Sequence, residues 1–299
     1  MTHTIFANGD SWTFGSEIAA PEFLAPDGKG VGMGNRFTHE GADYLPHNDF
    51  YRIPRVWPSR LGDMLGDAEV INKAWPARSN DTIYRSTMEW LLTNYITPGK
   101  DVSDLTVIIG WSSLERKNVI FEDFEGKLFE YTIWPAMNQT HYYDLPMVKK
   151  YFQMHVTHLW TQRECLTRFV EQNLSLHLLC KAHGIKHHFF NSFYVPRGEG
   201  GNFHKWKDLD IATAIKQLYD HRTNGWLEPN YNDLKEVGRL LQMWESIPEE
   251  VFLNKSTGLT FKTHVEQNLP HELRWCGIHP SPEGHEVWAK HLHKHLFNG

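Results

Sequence analysis

The chain has 299 residues, of which 40% are hydrophobic, 13% aromatic and 22% charged, with a formal net charge of -6. That length holds one large domain or two modest ones around a sizeable core, and interspersed charge without a polar low-complexity tract argues against a disordered chain. The acidic balance offers no basic footprint for nucleic acid. The three cysteines, Cys165, Cys180 and Cys276, are widely spaced without a CxxC pair, so they support neither a disulfide framework nor a cysteine zinc site. No apolar run reaches the length of a membrane span, and the first residues lack the basic and apolar regions of a signal peptide. A soluble protein of a reducing compartment is expected.

Thr4 to Ala7 is a short apolar run that ends at Asn8-Gly9-Asp10-Ser11, the pattern of a strand entering a loop. Arg55 to Leu65 places Val56, Leu61, Met64 and Leu65 on one helical face. Ala68 to Ala74 reads as a second strand, and Ser79-Asn80-Asp81 caps a helix reaching about Ile96. Leu105 to Ile109, bounded by Asp104 and Gly110, has the continuous β-branched character of a strand buried on both faces of a parallel sheet. A long helix is expected over Val156 to Ala182, closed by Gly184, followed by a strand over Lys186 to Tyr194. Further helices are expected over Tyr231 to Trp244 and Pro280 to Phe297. This alternation predicts an α/β fold with a central parallel sheet. Residues 112–150 and 197–270 interrupt it and read as loop excursions from a single domain spanning 1–299.

Two segments carry candidate chemistry. Ser11 lies just past the first strand, where open α/β sheets bind ligands and where a following helix can aim backbone N–H groups at a developing negative charge. His279 precedes Pro280 at the mouth of the last helix, a fixed position suited to a general base. Capping a turn and opening a helix are the plainer readings of the two segments, and the pairing of a nucleophile candidate with a base candidate weakens them.

Gly9-Asp10-Ser11, the stretch Asn72 to Asn80 with Ala77 at its glycine position, Gly110-Trp111-Ser112-Ser113, and Cys276-Gly277-Ile278-His279-Pro280 followed by Gly284-His285 occur in an order that resembles the four blocks of the SGNH hydrolases, also called GDSL-type esterases. The wording around Phe6 to Trp12 is most similar to variants encoded by tailed bacteriophages. The resemblance implies a flavodoxin-like three-layer α/β/α sandwich and a serine esterase, with Ser11 as nucleophile and His279 as base. It further implies an oxyanion held by Ser11, Ala77 and Ser112, and no cofactor or metal. The substrate would be a small-molecule or saccharide ester, without nucleic-acid or membrane partners, in the cytoplasm or, for a phage protein, in the host cytoplasm or the virion.

The departures from the pattern define what remains open. Ala77 for glycine keeps the N–H and suits a negative φ. Ser112 stands where the pattern has asparagine, and Cys276 where it has the aspartate that orients the histidine. A backbone carbonyl, Glu272 or Glu283 would then replace that acid, or the site is a degenerate one serving glycan binding or virion structure. Trp12, Trp75 and Trp111, with the aromatics of 121–143, are candidates for stacking against sugar rings. The histidines at 183, 187, 188, 291, 293 and 295 read as surface residues rather than ligands, and Gly28 to Gly34 reads as a loop, since its spacing fits no phosphate cradle.

Overall fold

The computed structural model describes residues 3–21, 47–66, 68–122, 125–133, 146–155, 159–193, 211–216 and 231–297. Four strands, β1 (Thr4–Gly9), β2 (Glu69–Asn72), β3 (Leu105–Trp111) and β6 (Lys186–Asn191), form an all-parallel sheet in the order β2-β1-β3-β6. From β1 the chain steps to one neighbour, then returns past β1 to the other. Right-handed crossovers therefore place the connecting helices on opposite faces. Helix α2 (Trp57–Met64) covers one face and α3 (Asn80–Leu91) the other.

Side-chain alternation along the strands builds two cores. Phe6, Val107, Ile109 and Phe189 pack with α3, α5 (Gln162–Ala182) and α6 (Tyr231–Glu245), through Ile83, Phe169 and Trp244. Ile5, Ala7, Ile108 and Phe190 pack with α2, α7 (Phe261–Asn268) and α8 (Pro282–Phe297), through Trp57, Phe261 and Trp288. The expected three-layer α/β/α arrangement is thus what the strands impose, because β1 and β3 are buried along their whole length.

Several boundaries differ from the sequence reading. The long helix begins at Gln162 rather than Val156, because Thr161 takes an extended conformation and its side chain accepts a hydrogen bond from the Glu164 N–H. A separate helix, α4, covers Pro146–Met154. The 112–150 excursion contains an antiparallel hairpin, β4 (Lys117–Glu122) with β5 (Leu128–Ile133). The last helix starts at Pro282 because His279–Pro280 (β8) pairs instead with Trp275–Cys276 (β7) in a two-residue ladder. Helix α7 escaped the sequence reading, its capping box being Thr260 with Thr263 rather than with Glu or Gln. Gly28 to Gly34, Phe124, Trp134, Tyr142 and Tyr143 lie outside the described residues.

The histidines are not uniformly at the surface. His183 is exposed, but His187 is buried and its Nδ1 lies 2.7 Å from the Ile185 carbonyl. A carbonyl only accepts, so Nδ1 carries the proton and Nε2 accepts from His177 Nδ1 at 2.8 Å. His291 and His295, four apart on α8, lie with ring centroids 4.1 Å apart and the rings tilted, and His264 of α7 lies against His291 at 4.2 Å. Burial pushes His187, His188 and His264 down to about 4, and His285 and His291 to about 3. These groups fold in the neutral form, so their stabilisation is complete above the ordinary histidine value near 6.5. It is lost as the pH falls from there toward 4 and below. Urea titrations at pH 7, 6, 5 and 4 should show a stability that declines steeply below about 6.5. A flat profile down to pH 4 would contradict the burial of these imidazoles.

Candidate active site

The strand ends come first. Gly9 and Gly110 face each other in the β1–β3 ladder, and the short helix α1 (Ser11–Phe14) lies directly across them. A Cβ on Gly9 would fall 2.3 Å from Thr13 Oγ1 and 2.8 Å from the Gly110 carbonyl, while one on Gly110 would fall 2.7 Å from Thr13 Oγ1. Two bare backbones are what allow buried Thr13 to sit there. They set α1, and Ser11 at its first turn, over the carboxyl edge of the sheet at its switch point.

Asp10 caps α1. Its Oδ1 accepts the Trp12 N–H at 3.0 Å, and its Oδ2 accepts the Ser112 hydroxyl at 2.7 Å and Arg116 Nη1 at 3.1 Å. The carboxylate is fully buried and its charge is met by the guanidinium. Ser112 therefore differs from its expected role. Its hydroxyl donates to Asp10, and its N–H donates to Asn80 Oδ1 at 2.7 Å, so both donors are engaged away from an oxyanion. Asn80 returns a bond from Nδ2 to the Ser112 carbonyl. Arg116 carries no signal in the sequence, and Asn80 stands there only within the helix cap and the second block, because no spacing rule connects either to Asp10 or Ser112.

Beyond β2 the chain stays beside β1, with the Trp75 N–H donating to the Gly9 carbonyl at 3.2 Å. This holds the Pro76-Ala77 turn close to the end of β1. Ala77 has φ of +63°, in the left-handed region rather than the negative φ expected from the loss of glycine. Proline followed by a positive φ is the pattern of a type II turn, which favours glycine at that position.

His279, 4% exposed, arrives from the opposite end of the chain. Strand β8 packs on α1, and the His279 ring centroid is 6.5 Å from that of Trp12. Its Nδ1 lies 3.0 Å from Glu17 Oε2, at ion-pair distance though off the axis of a linear hydrogen bond. The same oxygen accepts the N–H groups of Ile278 at 2.8 Å and His279 at 3.1 Å. The acid beside the histidine is thus Glu17 and neither Glu272 nor Glu283, both of which are exposed. Cys276 is half-buried and faces His279 across the β7–β8 ladder. Behind the site, His285 is fully buried and its Nδ1 accepts the Trp57 N–H at 3.1 Å, which fixes it as a neutral ring protonated on Nε2. No motif spacing pointed to Glu17.

Of the tryptophans expected to meet a ligand, Trp12 and Trp111 are core residues at 3% and 0% exposure, whereas Trp75 is 52% exposed. Trp75 lies edge-on to Phe14 of α1 at 5.5 Å, and Ile278 beside His279 is also exposed.

The sheet order, the two helical layers and the residues gathered at the carboxyl edge define a doubly wound α/β protein with its candidate site at the switch point. Within that class, residues 41–199, more than half of the chain, match the model of a family of unknown function, DUF6071, and the chain belongs to that family. The matched span includes Ala77, Asn80, Ser112 and Arg116, and Ser11, Glu17 and His279 lie outside it. Comparison with curated proteins gives no match. Among solved structures, the chain is similar to a variant of an acetyl xylan esterase from Geobacillus stearothermophilus, at 17% identity over 99% of this chain and 94% of that one, with a TM-score of 0.38. It is also similar to a protein described as lipolytic, of the G-D-S-L family, from Desulfitobacterium hafniense (14%, 99% and 100%, TM-score 0.37). A psychrotrophic esterase from Pseudoalteromonas is similar at 9% identity (99% and 97%, TM-score 0.37). These TM-scores lie below 0.5, and the fold assignment rests on the sheet topology and layer packing.

Two substitutions test the backbone geometry. Gly9→Ala should cost about 1–3 kcal/mol, since α1 must lift from the strand ends; a variant as stable as the parent in urea would show that α1 is not seated there. Ala77→Gly should be neutral or stabilise by up to about 1 kcal/mol, because relief of left-handed strain offsets the added freedom of the unfolded chain. A loss of about 1 kcal/mol, as at an ordinary position, would mean that Ala77 does not adopt a positive φ.

Proposed function

We propose that this chain is a serine esterase of the SGNH type that hydrolyses a carboxylic ester. The observation that carries the reading is the packing of two elements from opposite ends of the sequence, the helix that Ser11 opens and the strand that carries His279. In the proposed reaction the Ser11 hydroxyl attacks the ester carbonyl as His279 takes its proton, most simply at Nε2, since Nδ1 is turned toward Glu17. Collapse of the tetrahedral species expels the alcohol, which receives that proton, and leaves an acyl-serine. Water, deprotonated by the same imidazole, then releases the acid and regenerates Ser11. The backbone N–H groups of Ser11 and Ala77 are the proposed oxyanion donors.

The half-exposed Trp75 ring beside α1 supports a substrate with a flat apolar face to stack on, as a sugar ring offers, and deacetylation of a saccharide is the form of the reaction we favour. The engagement of Ser112 with Asp10 and Asn80 favours a second reading, a degenerate site that binds glycans without turnover. A serine-directed phosphonate should label Ser11 covalently. Ser11→Ala and His279→Ala should each lower p-nitrophenyl acetate hydrolysis by about 10³-fold or more while the circular dichroism stays native. Folded wild-type protein that is neither labelled nor active, yet binds glycans, would replace the esterase with the binding protein.

A further inference from the structure

We infer that Glu17 is the positioning acid of the centre, supplied from the segment directly after the nucleophile helix in place of the acid that the Cys276 position lacks. The inference deepens the esterase reading and rests on it for its kinetic readouts alone. Three nitrogens converge on one oxygen: the backbone N–H groups of Ile278 and His279 donate to Glu17 Oε2, and His279 Nδ1 lies 3.0 Å from it. A carboxylate that holds both the imidazole and the backbone of the same loop fixes one against the other, and it favours the imidazolium that forms when Ser11 gives up its proton.

The loop is shaped around that carboxylate. The β7–β8 ladder is closed by the two-residue loop Gly277-Ile278, and Gly277 has φ of +70°. A Cβ there would fall 2.6 Å from Glu17 Oε2 and 3.0 Å from its Cδ, so glycine serves both the turn and the close approach. Glu17 itself is strained, buried at 7% exposure with φ of +74°. A left-handed conformation costs an L-residue about 1–2 kcal/mol, and such outliers persist where the surroundings impose them, often at functional sites. The surroundings here are specific. Buried Asn48 donates to the Ile18 carbonyl and accepts from the Ala20 N–H, and Arg52 donates to the Phe14 carbonyl, so the chain is held on either side of Glu17.

A plainer role for Glu17 is to staple the 277–279 loop through its backbone bonds. Glu17→Gln separates the two roles, because the amide oxygen still accepts backbone N–H groups while the charge beside the imidazole is gone. Among the described residues, Cys276 lies opposite His279 in the β7–β8 ladder and His285 of α8, held neutral by burial, interacts with the ring; neither changes in this variant.

The test is an NMR titration of the His279 ring, assigned by its loss in His279→Asn, together with the rate of phosphonate labelling and the pH profile of kcat/KM. In the wild type the neutral ring should carry its proton on Nδ1, the form that donates to a carboxylate. Glu17→Gln should lower the His279 pKa by about one unit or more and move the acid limb of kcat/KM to lower pH. It should also reduce labelling and kcat by about 10²–10⁴-fold with little change in KM. Glu17→Asp should keep a measurable part of the activity, and Cys276→Ala should stay within about twofold of the wild type. An Nε2-protonated neutral ring in the wild type, or a folded Glu17→Gln protein with unchanged titration and labelling, would overturn the assignment. An unlabelled, inactive wild type would instead sink the esterase reading, and the ring titration would still decide what Glu17 does.

Discussion

The carboxyl edge of the sheet depends on the close approach of two backbones. With a side chain on Gly9 or Gly110, Thr13 would have no place, and the helix that begins at Ser11 could not lie across the strand ends. Because it does, the first turn after β1 is pulled over β3, and Asp10 comes within reach of Ser112 and Arg116 from the segment after β3. The buried carboxylate is then fully partnered, its charge met by a guanidinium and its lone pairs by a hydroxyl and a backbone N–H. An unpaired carboxylate at this depth would be strongly unfavourable. The geometry of the edge therefore holds together as one unit.

A second carboxylate, Glu17, works on the other side of α1. The first acid ties α1 to the neighbouring strand, and the second ties the segment after α1 to the loop that carries His279. Ser11 lies between these two anchors in the chain, and the helix it opens packs against the strand that carries His279, from the other end of the sequence. Positive φ values at Ala77 and Glu17 fall on either side of this region. Each requires tertiary contacts to hold a conformation that the isolated peptide would leave.

Much of the fold was legible in the sequence for a definite reason. The parallel strands β1 and β3 are apolar along their length because both faces are covered, and Ser79 and Gly184 mark the start of α3 and the end of α5. The β4–β5 hairpin was not legible, since its half-exposed strands lack a continuous apolar run. The start of the long helix was missed because Thr161, an effective cap, lies inside a stretch whose composition still reads as helical. Buried His187 and half-buried His291, whose ring lies against His264, do not fit a surface reading, whereas His183 and His295 are exposed as expected. Histidine is common on both sides of that boundary, and only a partner decides which side it takes.

The order of the blocks, the serine after the first strand and the histidine before the last helix were determined by the sequence alone, because each is a local pattern of turn, strand and cap. Tertiary structure alone decided which acid stands beside the histidine, what the Ser112 hydroxyl binds and which tryptophan reaches solvent. Those outcomes are distances between segments far apart in the chain. They are set by where glycine lets backbones meet and by which buried charges must find a partner, and neither condition leaves a periodic trace in the sequence.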